Sequence, residues 1–149
     1  MMSVFTDCPG REKLSYPADY TMPMGAIHRD FDLSAYLRTH QRHLVEGQSV
    51  ADTPMAGNVA LKTPVYDWGY SGRFGDEINW GNAIILVPGF LRQLYGDTET
   101  AARYYAPMVR FATTSRGRRR SGTSSTRPWP TGCPPSRSPG GSPAPGATT

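Results

Sequence analysis

An abrupt change of composition after Ala112 limits where this 149-residue chain can build a folded core. Residues 113–149 consist of Thr, Ser, Arg, Gly, Pro, Trp, Cys and Ala, without a single Leu, Ile, Val or Phe. Such a segment has too little apolar surface to offset the entropy that is lost on ordering. The sequence therefore predicts one folded unit over residues 1–112 and a disordered tail over residues 113–149.

Two explanations of this tail stay open. Its six arginines, without an acid among them, are typical of a disordered arm that contacts nucleic acid or another acidic surface through Arg116 and residues 118–120. The alternative is a frameshift. Translation in the shifted frame permits apolar residues at positions 124, 125, 128, 129, 132 and 133, which is the spacing of an amphipathic helix. This hidden pattern favours the frameshift.

The first 112 residues are slightly acidic, because they hold all 12 acids and 10 of the 16 basic residues, a net charge of −2. For this part we expect neither nucleic acid nor a membrane as a partner. Cys8 and Cys133 are the only cysteines, and a disulfide framework is not expected. The start of the chain lacks the basic region and apolar run of a signal peptide, and the longest apolar run, Ala83–Val87, is too short to cross a bilayer. We expect a cytoplasmic chain by default, although a secreted parent protein stays open.

Three carboxylates, two cations and an aromatic ring crowd into residues 4–21, around a turn at Pro9 and Gly10. They are Asp7, Glu12, Asp19, Arg11, Lys13 and Tyr16. A pocket that cleaves sugars needs these groups: one acid protonates the leaving oxygen, other carboxylates bind ring hydroxyls, and an aromatic face covers the apolar side of the ring. A solvated loop with salt bridges is the alternative, since mixed charge is common in loops.

Hydrophobic spacing predicts an extended loop over residues 4–18 and then helices. Pro23 is suited to begin a short helix that ends near His28. Asp32 is predicted to cap the next helix, and Gly47 to end it. One face of that helix forms an apolar stripe, and Arg38, Gln41 and Arg42 are expected to point away from it. The stripe consists of Leu33, Tyr36, Leu37, His40 and Leu44.

His40 lies on this stripe, and we expect it to be a core histidine with satisfied hydrogen bonds. His40 and His43 have the spacing of a pair on one helix face, but no third ligand is nearby, and a zinc site is not expected.

Two more helices are predicted after a long loop. Residues 80–95 are apolar nearly all round, as in a buried helix. Ala83–Val87 alone also fits a buried strand, which Pro88 and Gly89 would end. Asp97 is predicted to cap the following helix. The apolar stripe of that helix is predicted to be Ala101, Ala102, Tyr105, Met108, Val109 and Ala112.

The loop over residues 47–79 is long enough to suggest a functional role. Its aromatic and acidic residues suit a sugar subsite, and equally an anchor of the loop to the core. They are Asp67, Trp68, Tyr70, Phe74, Asp76 and Glu77.

Two motifs, in order along the chain, resemble signatures of bacterial α-L-rhamnosidases. Residues 7–14, Asp-Cys-Pro-Gly-Arg-Glu-Lys-Leu, resemble the signature Asp-Cys-Pro-x-Arg-Glu-Lys-Leu-Gly-Trp. Residues 75–83, Gly-Asp-Glu-Ile-Asn-Trp-Gly-Asn-Ala, are similar to Gly-Asp-x-x-x-Trp-Gly-x-Ala, and Tyr-Gly-Asp follows at 95–97. The resemblance extends over about residues 3–112. Ser15 and Tyr16 stand where the family usually has Gly-Trp.

This resemblance implies an all-α fold, part of an (α/α)6 six-hairpin toroid, with an inner helix at 80–95 and an outer helix after Asp97. It also implies hydrolysis of terminal α-L-rhamnosides with inversion, without a cofactor or metal, on a rhamnose-containing oligosaccharide or glycoside. Glu12 is then the general acid. The substrate-binding residues implied are Asp7, Arg11, Tyr16, Asp19, Asp76 and Trp80.

A twelve-helix barrel needs roughly 200 residues, whereas usable pattern ends near residue 112. We therefore expect an incomplete domain that is inactive alone, because the family's general base lies far downstream. Two alternatives stay open: another (α/α)6 glycosidase for a different sugar, which the Ser15-Tyr16 departure favours, and a non-enzymatic truncated product with a basic tail.

Overall fold

A computed structural model of the chain describes residues 4–6, 8, 10–11, 13–49, 56–63 and 78–121, except for the side chains of residues 118–121. This part is helical, with one isolated antiparallel bridge between Gln48 and Val59. The predicted all-α class is confirmed. The helices are α1 (Pro17–Thr21), α2 (Met24–Asp30), α3 (Ser34–Glu46), α4 (Ile78–Gly81), α5 (Ala83–Tyr95), α6 (Glu99–Arg103) and α7 (Tyr105–Ser121).

The core lies between α3 and α5, which pack against each other along their length. The stripe predicted for α3 is confirmed, with Tyr36 half-buried and the other members buried. The N-cap of α3 is Leu33 rather than the predicted Asp32, although Asp32 Oδ1 accepts a hydrogen bond of 2.9 Å from the Ser34 amide in the first turn. Gly47 follows the last residue of α3 as predicted. Pro23 likewise precedes α2, which ends at Asp30, slightly beyond the predicted end.

Gln41 is a correction on α3. It was predicted to point away from the core, but it is completely buried and its side-chain amide donates a hydrogen bond of 3.0 Å to the Ile84 carbonyl of α5. Pro88, four residues after Ile84, has no N–H group and leaves this carbonyl without its usual partner inside the helix. Gln41 is buried because it supplies that hydrogen bond.

α5 shows that the run of residues 83–87 is helical and that the strand alternative is wrong. Its inward face contributes Ala83, Ile84, Val87 and Leu91 to the core, while Leu86 remains 43% exposed. The helix ends at Gly96, whose φ of 69° is left-handed and suits glycine. The Gly96 and Asp97 amides then donate hydrogen bonds to the carbonyls of Arg92 and Leu91, so two carbonyls of the last helical turns are paired.

The single helix predicted after Asp97 is divided at Tyr104 into α6 and α7. Asp97 Oδ1 accepts a hydrogen bond of 2.9 Å from the Thr100 amide, as expected of a capping carboxylate, although the N-cap position of α6 is Thr98. Pro107 lacks the N–H that a continuous helix would require, and the break places it in the first turn of α7, where proline is tolerated.

The predicted stripe is wrong for most of its α7 members, and Met108 is the member that packs against the core, half-buried. Tyr105 and Val109 are 64% and 43% exposed, and Phe111 is buried instead. α7 also continues past the boundary predicted at residue 112. Residues 113–121 are helical rather than disordered, and Thr114 Oγ1 donates a hydrogen bond of 2.8 Å to the Ala56 carbonyl. Residues 122–149 of the predicted tail lie outside the described residues.

None of the helices that the structure describes combines the length and apolar character needed to cross a membrane.

Candidate active site

The first motif begins in a non-helical segment, as predicted, and turns sharply after Cys8. The Arg11 amide donates a hydrogen bond of 2.8 Å to the Cys8 carbonyl, which closes a turn across residues 8–11. The Arg11 side chain is exposed, and its Nη2 lies 3.5 Å from Cys8 Sγ. The turn therefore presents the Arg11 guanidinium at the surface.

Lys13, near this turn, has a φ of 55° in the left-handed region. For a residue other than glycine this conformation costs about 1–2 kcal/mol. The chain then enters the interior, where Leu14 and Ser15 are buried. The Thr63 amide donates a hydrogen bond of 3.0 Å to the Ser15 carbonyl. This bond attaches the end of the motif to residues 56–63, the described part of the long loop.

α1 follows directly and carries Asp19. Tyr16 is half-buried in extended conformation just before the helix, and Pro17 occupies its first position. The Asp19 amide bonds to the Tyr16 carbonyl at 3.1 Å, and the Asp19 side chain is exposed in the first turn. α1 packs against α4 and α5, so the helix that follows the first motif lies beside the helix that carries the tryptophan of the second.

α4 holds Trp80, which is half-buried. Its indole Nε1 is buried, and no hydrogen-bond partner for it is found among the described residues. Gly81 is required at the next position, since a Cβ there would lie 2.6 Å from the Phe111 ring of α7. Trp80 thus places an amphipathic ring on the helix that contacts α1, and Gly81 lets α4 approach α7 closely.

An aromatic cluster of Phe5, Tyr20, Tyr36 and His40 lies under the start of the first motif. The Phe5 amide donates a hydrogen bond of 3.0 Å to Tyr36 Oη, and the two rings meet edge to face with centroids 4.7 Å apart. The His40 ring stacks on Tyr36 at 5.6 Å and meets Tyr20 edge-on at 4.6 Å. The cluster thus joins the motif loop, α1 and α3.

His40 is a core residue, as predicted, but the expectation of satisfied hydrogen bonds is wrong. Neither ring nitrogen has a partner within the described part of the chain. Burial, with a smaller contribution from His43, lowers the pKa of His40 to about 4, so the ring is neutral at neutral pH. Burial also raises the pKa of Tyr36 to about 12 and the pKa of Tyr20 well above its ordinary value.

The family model of the bacterial alpha-L-rhamnosidase 6 hairpin glycosidase domain matches residues 1–133. The chain belongs to this family. A search among curated proteins finds no match.

The α-L-rhamnosidase of Dictyoglumus thermophilum supports the fold. Its solved structure superposes with a TM-score of 0.66 at 20% sequence identity, covering 79% of this chain. The chain spans only 12% of the length of that enzyme. The predicted architecture, part of a six-hairpin (α/α)6 domain, is therefore confirmed, and the likeness at this identity concerns the fold alone.

Of the predicted site residues of this rhamnosidase-family chain, the structure describes Arg11, Tyr16, Asp19 and Trp80. Asp19 lies on α1 and Trp80 on α4, two helices in contact, and Tyr16 directly precedes α1. The predicted general acid Glu12 and the predicted sugar ligands Asp7 and Asp76 lie outside the described residues. The same holds for the loop residues Asp67, Trp68, Tyr70, Phe74 and Glu77. The assigned roles stay predictions. No group of three or more His, Cys, Asp or Glu able to hold a metal occurs among the residues that the structure describes.

Lys62 is a residue near the site that the sequence did not indicate. It is only 7% exposed, and it directly precedes Thr63, whose amide holds the Ser15 carbonyl. A buried lysine side chain needs a compensating charge or hydrogen bonds. Lys62 meets this need next to the hydrogen bond that anchors Ser15, at the end of the first motif. A lysine in a polar loop gives no sequence signal of burial. The anchoring role of Tyr36 was equally hidden, because its spacing indicates only a core stripe.

Proposed function

We propose that this chain forms the sugar-binding and proton-donating part of a glycoside hydrolase that cleaves terminal α-L-rhamnosides with inversion. Family membership together with one structural observation supports the proposal. α1, which directly follows the first rhamnosidase motif, packs against α4, which carries the tryptophan of the second. In the proposal, the two motifs, which a long loop separates in the sequence, contribute to one surface.

Each residue in the proposal has a role that suits its chemistry. Arg11 and Asp19 are exposed, and their side chains donate and accept the hydrogen bonds that sugar hydroxyls make. Asp7 and Asp76 add further hydrogen-bond acceptors. Tyr16 and Trp80 offer aromatic surface for the apolar face of the sugar ring, and their half-burial holds them in place. Glu12 protonates the oxygen of the leaving group.

A general acid must stay protonated near neutral pH, and the surrounding charges decide whether it does. The cations Arg11, Lys13 and Lys62 lower the pKa of a nearby carboxyl, whereas ionised carboxylates raise it. In the proposal Asp7 and Asp19 supply this opposing effect. Because Asp7 and Asp19 stay ionised and bind the sugar hydroxyls, their negative charge raises the pKa of Glu12. Glu12 is then the carboxyl that keeps its proton.

An inverting reaction also needs a second carboxylate that activates water from the opposite face. We nominate no residue of this chain for that role, and we propose that the chain alone binds sugar without turnover. Tyr16 stands where the family usually has tryptophan. The second candidate function is therefore hydrolysis of a different sugar, such as a uronate.

The experiment supplies the chain with the remaining helices of a six-hairpin domain and measures hydrolysis of two α-L-rhamnosides. Glu12→Gln should reduce the rate on a substrate with a poor leaving group by about 10²–10⁴-fold. A dinitrophenyl rhamnoside needs little protonation and should lose much less. Equal losses on both substrates would show that Glu12 binds the sugar rather than donating the proton.

A further inference from the structure

The start of the first motif is held by one side chain of α3. The Phe5 amide donates a hydrogen bond of 3.0 Å to Tyr36 Oη, across a separation of 31 residues. Phe5 stands two positions before Asp7, and its ring contacts the Tyr36 ring edge to face. The chain just before the first motif is therefore tied to α3 at Phe5.

Tyr36 is itself held from two sides. The His40 ring, one helical turn later, stacks on it with an angle of 14° between the ring planes. Tyr20 of α1 meets Tyr36 edge-on, with centroids 6.4 Å apart, and stacks on Phe5 at 6.1 Å. Because His40 and Tyr20 are buried, the Tyr36 hydroxyl has little freedom to move.

Tyr20 directly follows Asp19, so the cluster contains the chain neighbour of one proposed sugar ligand as well as Phe5, just before the first motif. We propose that Tyr36 is a positioning residue, which fixes Phe5 relative to α1, the helix that carries Asp19, and so holds the approach to the first motif in the arrangement that sugar binding requires. The proposal rests on the proposed function for its sugar, but the geometry that it describes is independent of the sugar.

Tyr36→Phe tests the proposal, since it keeps the ring and removes only the hydroxyl. Tyr95→Phe is the matched control, because Tyr95 Oη accepts the same kind of bond, of 2.8 Å, from the Leu33 amide just before α3. Two quantities are measured in the full chain: hydrogen exchange of the Phe5 amide, and the Kd for L-rhamnose by titration.

Tyr36→Phe should accelerate exchange at Phe5 and raise the Kd for L-rhamnose, each by about three- to tenfold, the effect of one lost hydrogen bond. Tyr95→Phe should change neither. Equal effects of the two variants on both quantities would overturn the proposal, because they would show a general loss of stability.

Two further results separate the possible failures. If the wild-type chain does not bind L-rhamnose, the proposed function fails, and Phe5 exchange alone decides whether Tyr36 holds the loop. If Tyr36→Phe does not fold, Phe5→Leu removes the ring contacts from the loop side. It should weaken L-rhamnose binding, and unchanged binding would overturn the proposal.

Discussion

The Gln41 side-chain nitrogen lies 3.0 Å from the carbonyl oxygen of Ile84, on the neighbouring helix. Ile84 would normally receive a hydrogen bond from the residue four positions later, but that residue is Pro88. A polar side chain of α3 thus replaces a missing backbone donor of α5, in the most buried part of the core. This hydrogen bond joins α3 to α5, the helix that α1, α4, α6 and α7 also contact.

Gln41→Met should lower the free energy of unfolding by about 1–3 kcal/mol, because it leaves the Ile84 carbonyl buried and unpaired. In a Pro88→Ala background the backbone N–H returns, and the same substitution should cost about 1 kcal/mol less. Urea denaturation of the four proteins measures this coupling. If Gln41→Met costs the same in both backgrounds, the carbonyl of Ile84 is not the reason for its effect.

Gly81 and Gly89 form a matched pair for the helix packing at the site. Gly81→Ala places a Cβ 2.6 Å from the Phe111 ring and should destabilise the chain by about 1–3 kcal/mol. Gly89→Ala, within α5, meets no atom within 4 Å and should instead stabilise it by about 0.5–1 kcal/mol. Thermal or urea unfolding checks both values, and effects of the same sign would argue against the α4–α7 contact.

His40 should make the fold sensitive to mild acid. Its pKa is lowered to about 4 in the folded chain, against an unfolded value of about 6.5, so the unfolded state binds more protons between these values. Stability should therefore fall as pH decreases from about 6.5 to about 4, by up to about 3 kcal/mol.

His40→Phe keeps an aromatic ring in the cluster and should remove this part of the pH dependence, while His43 is present in both proteins. The Asp97 carboxyl does not obscure the result. The Thr100 amide and then Arg38 lower its pKa to about 2, so its contribution is lost only as pH falls below about 3.8. An identical slope between pH 4 and 6.5 in wild type and His40→Phe would contradict the burial of a neutral His40.

Local patterns in the sequence were sufficient for much of the helical fold. The spacing of Leu37, His40 and Leu44 predicted the buried face of α3, and the capping carboxylate of Asp97 and the end at Gly47 followed from residue type. These features depend on neighbours within one or two helical turns, where periodicity and capping carry the information.

The features that the sequence missed depend on distant partners. Gln41 is buried because of a proline on another helix, and Lys62 is buried in a loop whose neighbour pairs with Ser15. The helix predicted after Asp97 is divided just before Pro107, and Phe111 is buried instead of Tyr105 and Val109. The apolar spacing in the sequence runs across this break and does not reveal it. At the site, only the motif resemblance assigned Asp19 and Trp80 to the same binding site. The contact between α1 and α4 has no local signature in the sequence.

Titration of the chain with L-rhamnose, followed by NMR, tests most directly the central claim that the two motifs form one sugar site. We expect the chemical-shift changes to concentrate at Arg11, Tyr16 and the Trp80 indole. Asp19→Asn should weaken binding about tenfold or more, the effect of losing a charged hydrogen bond. The control Asp30→Asn, at an exposed acid on α2, should leave binding unchanged. Absent binding, or equal affinity in the two variants, would contradict the central claim.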